Sequence, residues 1–187
     1  LPNAARRATV DLDERCACES GCASGQEVKL SIPRFPVHVV MRRTPIASRW
    51  ASEQWAPWSV EVAGIPRDDL EVTPLEPVSF RDDVEMSLWR FAGFALDLPH
   101  SEAEGYYLNL REDVPRVFVM WRRDDARTPP VHPVYATLSY HEAARSMDGG
   151  ETVDPVPMPM EILAWADAYV AGNCQPQSSE AGAGEGR

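Results

Sequence analysis

Apolar and polar residues alternate over several short stretches of this chain. Strict alternation marks a strand with one face turned inward. Strands are expected over residues 37–42, 58–64, 89–96, 106–110, 117–122 and 134–138, with a weaker one around Leu70 and Val72. The stretch 117–122 is the clearest. Val117, Val119 and Trp121 share one face and Phe118 and Met120 the other, and because both sets are apolar both faces should be covered. The run Glu102-Ala103-Glu104-Gly105-Tyr106-Tyr107-Leu108-Asn109-Leu110 precedes it, separated by Asp113-Val114-Pro115. The two runs read as an antiparallel strand pair.

Helical signals are fewer. Thr44-Pro45 places an N-cap residue before a proline, and Arg49 with Glu53 has i,i+4 spacing, so a short helix is expected there. Ser139 and Glu142 have the spacing of a capping box, and Asp148-Gly149-Gly150 would end that helix. A last helix starts near Pro159, with Ile162, Trp165, Ala166, Tyr169 and Val170 on one stripe. Seventeen prolines suit short strands with stiff connections. The sum is a mainly β (α+β) fold: an antiparallel barrel or sandwich of about six strands, short helices, and a C-terminal amphipathic helix packed on the sheet.

Composition divides the chain into three zones. Residues 1–33 form a flexible extension holding three of the four cysteines, 34–171 a single β-rich domain, and 172–187 a low-complexity tail expected to be disordered. No apolar run approaches the ~20 residues of a membrane span, and the N-terminal zone lacks an apolar segment of signal-peptide length. A cytoplasmic protein is expected. The formal net charge is −11, from 29 acidic and 18 basic residues. Such a surface repels phosphate, which argues against nucleic acid and anionic membranes as partners. Lys29 is the one lysine among the basic residues. That bias toward arginine suits a genome rich in G and C, and it leaves a surface able to fork carboxylates.

Candidate chemistry is sparse. Cys16, Cys18 and Cys22 could hold a soft metal, although their spacing is not that of a zinc knuckle. His38, His100, His132 and His141 are scattered; His38 reads as a packed strand residue and His141 as an exposed helix residue. Glu102 with Glu104, Asp82-Asp83 and Asp124-Asp125 read as solvated carboxylates at strand ends and turns. Nucleophile elbows, Gly-rich phosphate loops and dinucleotide fingerprints are missing from the sequence, so no cofactor and no catalytic residue is implied. The tryptophans say more. Trp121 and Trp165 should pack in the core, whereas Arg49, Trp50, Trp55 and Trp58 cluster around a short helix and a turn. Trp and Arg are the residues that anchor interfaces, so these four form a candidate partner-binding patch. A ligand pocket in the mouth of the β-structure, lined by Arg90, Tyr106, Asn109 and Arg122, is the alternative.

Several segments resemble a family. They are Pro36-Val37-His38-Val39-Val40-Met41-Arg42-Arg43, the Arg49-Trp50 and Trp55 element, Glu104-Gly105-Tyr106-Tyr107-Leu108-Asn109-Leu110, Val117–Arg122, and the segment from Ser139 to Glu151 with Val156-Pro157-Met158-Pro159 and Ala164-Trp165. Together they are similar to a proteobacterial domain of unknown function whose members are typically encoded beside formate dehydrogenase and molybdenum-cofactor accessory genes. The likeness spans about residues 34–171, in order. It implies a non-catalytic accessory protein in the assembly or regulation of a molybdenum-dependent formate dehydrogenase, with that enzyme or its maturation proteins as partner. A small-molecule-binding β domain or unrecognised enzyme, and a metal module on the N-terminal cysteines, are the competing readings.

Overall fold

The β-rich architecture is built as two antiparallel sheets, a sandwich-like arrangement rather than a closed barrel. A computed structural model of the chain describes residues 32–64, 69–80 and 84–173. Cys16, Cys18 and Cys22, with the rest of the expected extension up to residue 31 and the tail from 174, lie outside the described residues, as do Asp82 and Asp83. The elements are β1 (Arg34–Pro45), β2 (Glu53–Val62), β3 (Val72–Pro74), β4 (Val78–Phe80), β5 (Val84–Asp97), α1 (Ala103–Leu110), β6 (Arg116–Arg123), β7 (Val131–Thr137), α2 (Tyr140–Asp148), β8 (Thr152–Pro157) and α3 (Met160–Asn173). None of the described helices is long and apolar enough to cross a membrane.

The first sheet runs in the order β2-β1-β5-β3, with β4 also pairing with β5; the second runs β7-β6-β8. Strand β2 lies against β8 and β5 against β7. Val37, Val39, Met41, Phe91 and Leu96 of the first sheet meet Val117, Val119, Val131, Ala136 and Val156 of the second in one core. Each such fully buried side chain stabilises the fold by roughly 1.5–3 kcal/mol. The outer face of the second sheet carries α2, whose Tyr140 ring meets Phe118 edge-on at 5.9 Å. Strand β6 is therefore covered on both faces, as its sequence implied, with Val117 and Val119 wholly buried and Phe118 and Met120 nearly so.

Of the expected stripe, helix α3 buries Ile162, Ala166 and Val170, leaves Trp165 and Tyr169 half-buried, and packs against α1. Its Trp165 ring meets Phe35 of β1 at 5.0 Å. Trp121 is likewise packed against the core, and its indole N–H donates to Asp154 Oδ2 at 2.8 Å. Ser139 caps α2 by accepting the Glu142 N–H at 3.1 Å, and the helix ends at Gly149.

Two expectations fail. Residues 106–110 form helix α1, so no strand pair joins them to β6. The inward face of α1 is Glu102, Gly105, Tyr106 and Asn109, which is i, i+3, i+4, i+7 spacing; only one of the four is a large apolar residue, so hydrophobic periodicity does not register it. The helix expected after Thr44-Pro45 is also absent. Strand β1 continues through Pro45, which pairs with Glu53 at the start of β2, and Ile46 N–H to Ser52 carbonyl (3.1 Å) closes the connection. Glu53 is taken by Arg43 across the hairpin (2.5 Å) rather than by Arg49 along a helix.

Bulges set the two features that matter below. Val40 pairs with Ser59 but Met41 with Pro57, so Trp58 is an extra residue in β2. In β5 the extra residue falls at Ala92-Gly93, where Gly93 has φ +89° and an added Cβ would stand 2.7 Å from the Asp69 carbonyl oxygen. Only glycine fits there. The first sheet is also wider than the second. Strand β7 is the edge of its sheet, so β3, beyond β5, has no strand opposite it. Val72 of β3 pairs with core residue Phe91 and shares its face, yet is 42% exposed. A cleft lies beneath it.

Candidate functional site

The β1–β2 hairpin carries the most unusual surface of the described residues. Its tip holds Trp50, 82% exposed, with the Arg49 guanidinium over the indole at 4.4 Å. Further down, the bulge gives Trp58 an outward position, 36% exposed, with the Arg42 guanidinium 5.2 Å from its ring centre. Stacking of this kind is worth roughly 0.5–1 kcal/mol at an exposed site and orients both groups. Between residues 42 and 52 there are Arg42, Arg43 and Arg49 and no acidic side chain. An acidic chain thus presents one locally cationic, aromatic hairpin.

Trp55 does not belong to this surface. It is 6% exposed, part of the core, and its indole N–H donates to Glu53 Oε1 at 2.8 Å. Trp55 and Trp58 are three apart; on a helix they would share a face, but β2 sends them to opposite sides of the sheet. Two arginine–tryptophan stacks remain on the hairpin surface, Arg49 with Trp50 at the tip and Arg42 with Trp58 further down. Arg42 was missed because it lies inside a strand pattern, where its cross-strand neighbour could not be read.

The four residues expected to line a pocket are not brought together. Arg90 pairs with Glu61 on the first sheet (2.8 Å), and Arg122 pairs with Glu151 through two hydrogen bonds at the second sheet. Tyr106 is wholly buried, and burial pushes its phenol well above the usual range. Asn109 is a buried clamp. Its amide donates to the carbonyls of Arg116 (2.7 Å) and Leu138 (2.8 Å) and accepts the Arg116 N–H (3.0 Å). These two side chains fill space and satisfy backbone groups.

A buried polar node joins α1, α2 and the end of β7. Ser139, wholly buried, donates its hydroxyl to Glu102 Oε2 at 2.6 Å while capping α2. Arg145 donates to the other Glu102 oxygen at 2.6 Å, and Thr137 donates to Glu142 at 2.6 Å. The Ser139 hydroxyl, with Arg145 beside it, holds the Glu102 carboxyl below its ordinary value. Glu102 is thus a structural acceptor, not the solvated carboxylate its position suggested. A serine against a glutamate resembles a nucleophile and its base, but no reactant reaches a hydroxyl with zero exposure. Glu53 is likewise held low, by the Trp55 indole N–H and then by Arg43. Its carboxylate also faces Arg123 of the second sheet at 3.9 Å, which ties the sheets together.

The remaining acids and histidines fall into place. Asp124 pairs with Arg127 and Asp125 with Arg123. His141 is half-buried on α2 rather than exposed. His38 is a packed strand residue opposite Glu61, and its Nδ1, like that of His132, is buried without a partner among the described residues. No three His, Cys, Asp or Glu side chains among the described residues group as metal ligands.

The chain belongs to the family described as "Protein of unknown function (DUF3305)", whose pattern matches residues 36–181. No curated protein and no solved structure matches it.

Proposed function

We propose that this chain is a protein-binding accessory domain that docks through its β1–β2 hairpin. The observation that carries the reading is Trp50, an indole 82% exposed beneath the Arg49 guanidinium on a chain of net charge −11. Exposed indoles leave a large apolar area in water, and a partner that covers one gains a hot spot on the order of 2 kcal/mol. The arginines beside it choose the partner by charge: an acidic segment with room for an aromatic ring. In its finer form the reading is a cytoplasmic protein that serves the assembly or regulation of a molybdenum-dependent formate dehydrogenase. That form is supported by the resemblance of the segments quoted above.

The test is a tagged full-length chain, purified at moderate salt from its native host grown with formate and molybdate. Formate dehydrogenase subunits or cofactor-insertion proteins should co-purify, and the pair Trp50→Ala and Trp58→Ala should lower their recovery at least tenfold with melting unchanged. A preparation without partners overturns the accessory reading. Recovery indifferent to both substitutions overturns the choice of surface.

A further inference from the structure

We propose that the cleft between Arg43 of β1 and Pro129, which precedes β7, is a binding site for a small aromatic carboxylic acid. The inference is independent of the hairpin surface. Arg42 and Arg43 are neighbours on a strand, so one points out to Trp58 and the other in toward the second sheet. Arg43 pairs with Trp55 of β2 on one side and with Ser87 of β5 on the other. These three residues and Trp89 meet the connection Thr128-Pro129-Pro130 instead of a facing strand. Serine is the small member of that row, and the cleft stays open at about 240 Å³.

That volume selects the ligand's size. It exceeds the roughly 150 Å³ of an apolar cavity that takes benzene, and it falls short of the roughly 300–1,000 Å³ used for drug-sized ligands. One ring fits, with Trp55, Trp89 and the two prolines as its walls. The groups that would recognise it are open to solvent, since the Arg43 side chain is 44% exposed and Trp89 is half-buried. Two ionised groups line the cleft, Arg43 and Glu53, and they are not equally committed. Both Glu53 oxygens already face donors. Oε2 accepts the Arg43 Nε–H at 2.5 Å, Oε1 accepts the Trp55 indole N–H at 2.8 Å, and Arg123 stands 3.9 Å from Oε1. Arg43 has five N–H donors and uses one of them on Glu53. Its two Nη groups have no acceptor among the described residues. Around Glu53 two guanidiniums thus outnumber one carboxylate. Asp125, which pairs with Arg123, is 76% exposed, where solvent screens its charge. The group that completes the site is an acceptor, and a carboxylate, able to take both Nη groups at once, is preferred to a neutral carbonyl.

Benzoate and benzamide, alike in shape and different in charge, are the probes. Both are titrated at about pH 7 into the full-length, isotopically labelled chain, and the indole N–H resonances are followed by NMR. Saturable benzoate shifts at Trp55 and Trp89 are expected near about 1 mM, with benzamide binding at least about fivefold more weakly for want of the charge. Added salt should weaken benzoate and leave benzamide unchanged. Ser87→Phe fills the cleft and should abolish both; Ser87→Leu serves where the larger ring impairs folding. Arg43→Gln should equalise the two probes, and Arg43→Lys, which keeps the charge without the fork, should retain part of the preference. Four results each overturn the proposal: no saturable shifts at Trp55 and Trp89, shifts confined to Trp50 or Trp58, shifts undiminished by filling at residue 87, or equal affinity of the two probes for the unmodified chain. A preference intact in Arg43→Gln does so as well.

Discussion

Gly105→Ala is the substitution that tests the buried node most directly. Glycine at this point lets α1 approach Ser139. An added Cβ would stand far inside van der Waals contact of Ser139 Oγ, with Ser139 Cβ at 3.2 Å and Cα at 3.3 Å. Ser139 has nowhere to go. Its hydroxyl is fixed by Glu102 and the Glu142 N–H, and its own N–H by Thr137 Oγ1 at 3.0 Å. Overpacking of this kind costs about 1–3 kcal/mol. Displacing the hydroxyl adds the cap, about 1 kcal/mol, and its charged hydrogen bond to Glu102, about 1.5–3 kcal/mol. Alanine's better helix propensity returns about 1 kcal/mol. The net is roughly 2–4 kcal/mol, since overpacking and loss of the hydrogen bonds are alternatives as much as additions. A domain of this size should then melt about 4–16 °C lower. Gly172→Ala is the matched control, because nothing lies within 4 Å of the Cβ it would gain near the end of α3. It should be neutral or slightly stabilising. In a Ser139→Ala background the cost of Gly105→Ala should shrink by at least about 1 kcal/mol. Thermal melts and urea titrations of the unmodified chain and the four variants decide the matter. If Gly105→Ala behaves like Gly172→Ala, the packing of α1 on Ser139 is wrong.

Three further outcomes follow from the same contacts. Asn109→Leu strands two carbonyls and one N–H in the core and should cost about 3–5 kcal/mol by urea titration; a loss below about 1 kcal/mol would show that water replaces the clamp. Trp55→Ala should cost about 3–5 kcal/mol, as core truncations do, and Trp58→Ala within about 1 kcal/mol; equal losses would place both indoles in one environment. Glu53 and Glu102 both have depressed carboxyl values in the folded chain, so their stabilisation is full above the ordinary value of 4.5 and is lost as pH falls through the folded values. Urea midpoints measured downward from pH 6 should therefore fall below about pH 4.5, and Glu53→Gln with Glu102→Gln should flatten that limb; an unchanged slope would assign acid sensitivity to other groups.

The strands were legible where one residue type decided the face. Val117 to Trp121 could be read because every position is apolar and both faces of β6 are buried. The capping of α2 was legible because Ser139 and Glu142 act within one turn. What failed had a common cause, in that polar residues were doing the packing. The inward face of α1 and its N-cap is glutamate, glycine, tyrosine and asparagine, and partners such as Leu138, Ser139 and Arg145 lie 29 to 43 residues along the chain. Thr44 and Pro45 have the chemistry of a helix start, but the pairing of Pro45 with Glu53 overrides it. The cleft beneath β3 was invisible for a different reason. It arises from the number of strands in each sheet, and strand order is not written in the pattern of any one strand.

The prolines connect the fold to the mode of recognition. A sheet edge offers unpaired N–H and C=O groups, and an added strand is one common way for a partner to dock. In this fold four outer strands, β2, β3, β7 and β8, break that row. Strand β2 carries Pro57 beside the Trp58 bulge, and β3 carries Pro74. Strand β7 carries Pro133 beside a bulge opposite Met120 and Trp121, and β8 carries Pro155 and Pro157. Of the central strands, β5 and β6 have none, and β1 carries Pro36 and Pro45 near its two ends. Proline cannot donate to a ladder, so strand addition is opposed along β2, β3, β7 and β8 by the residues themselves. On the proposed reading, recognition then works through side chains. The bulge that interrupts the β2 edge is also the one that gives Trp58 its outward position beneath Arg42, so a single extra residue both closes the backbone route and builds part of the aromatic, cationic one.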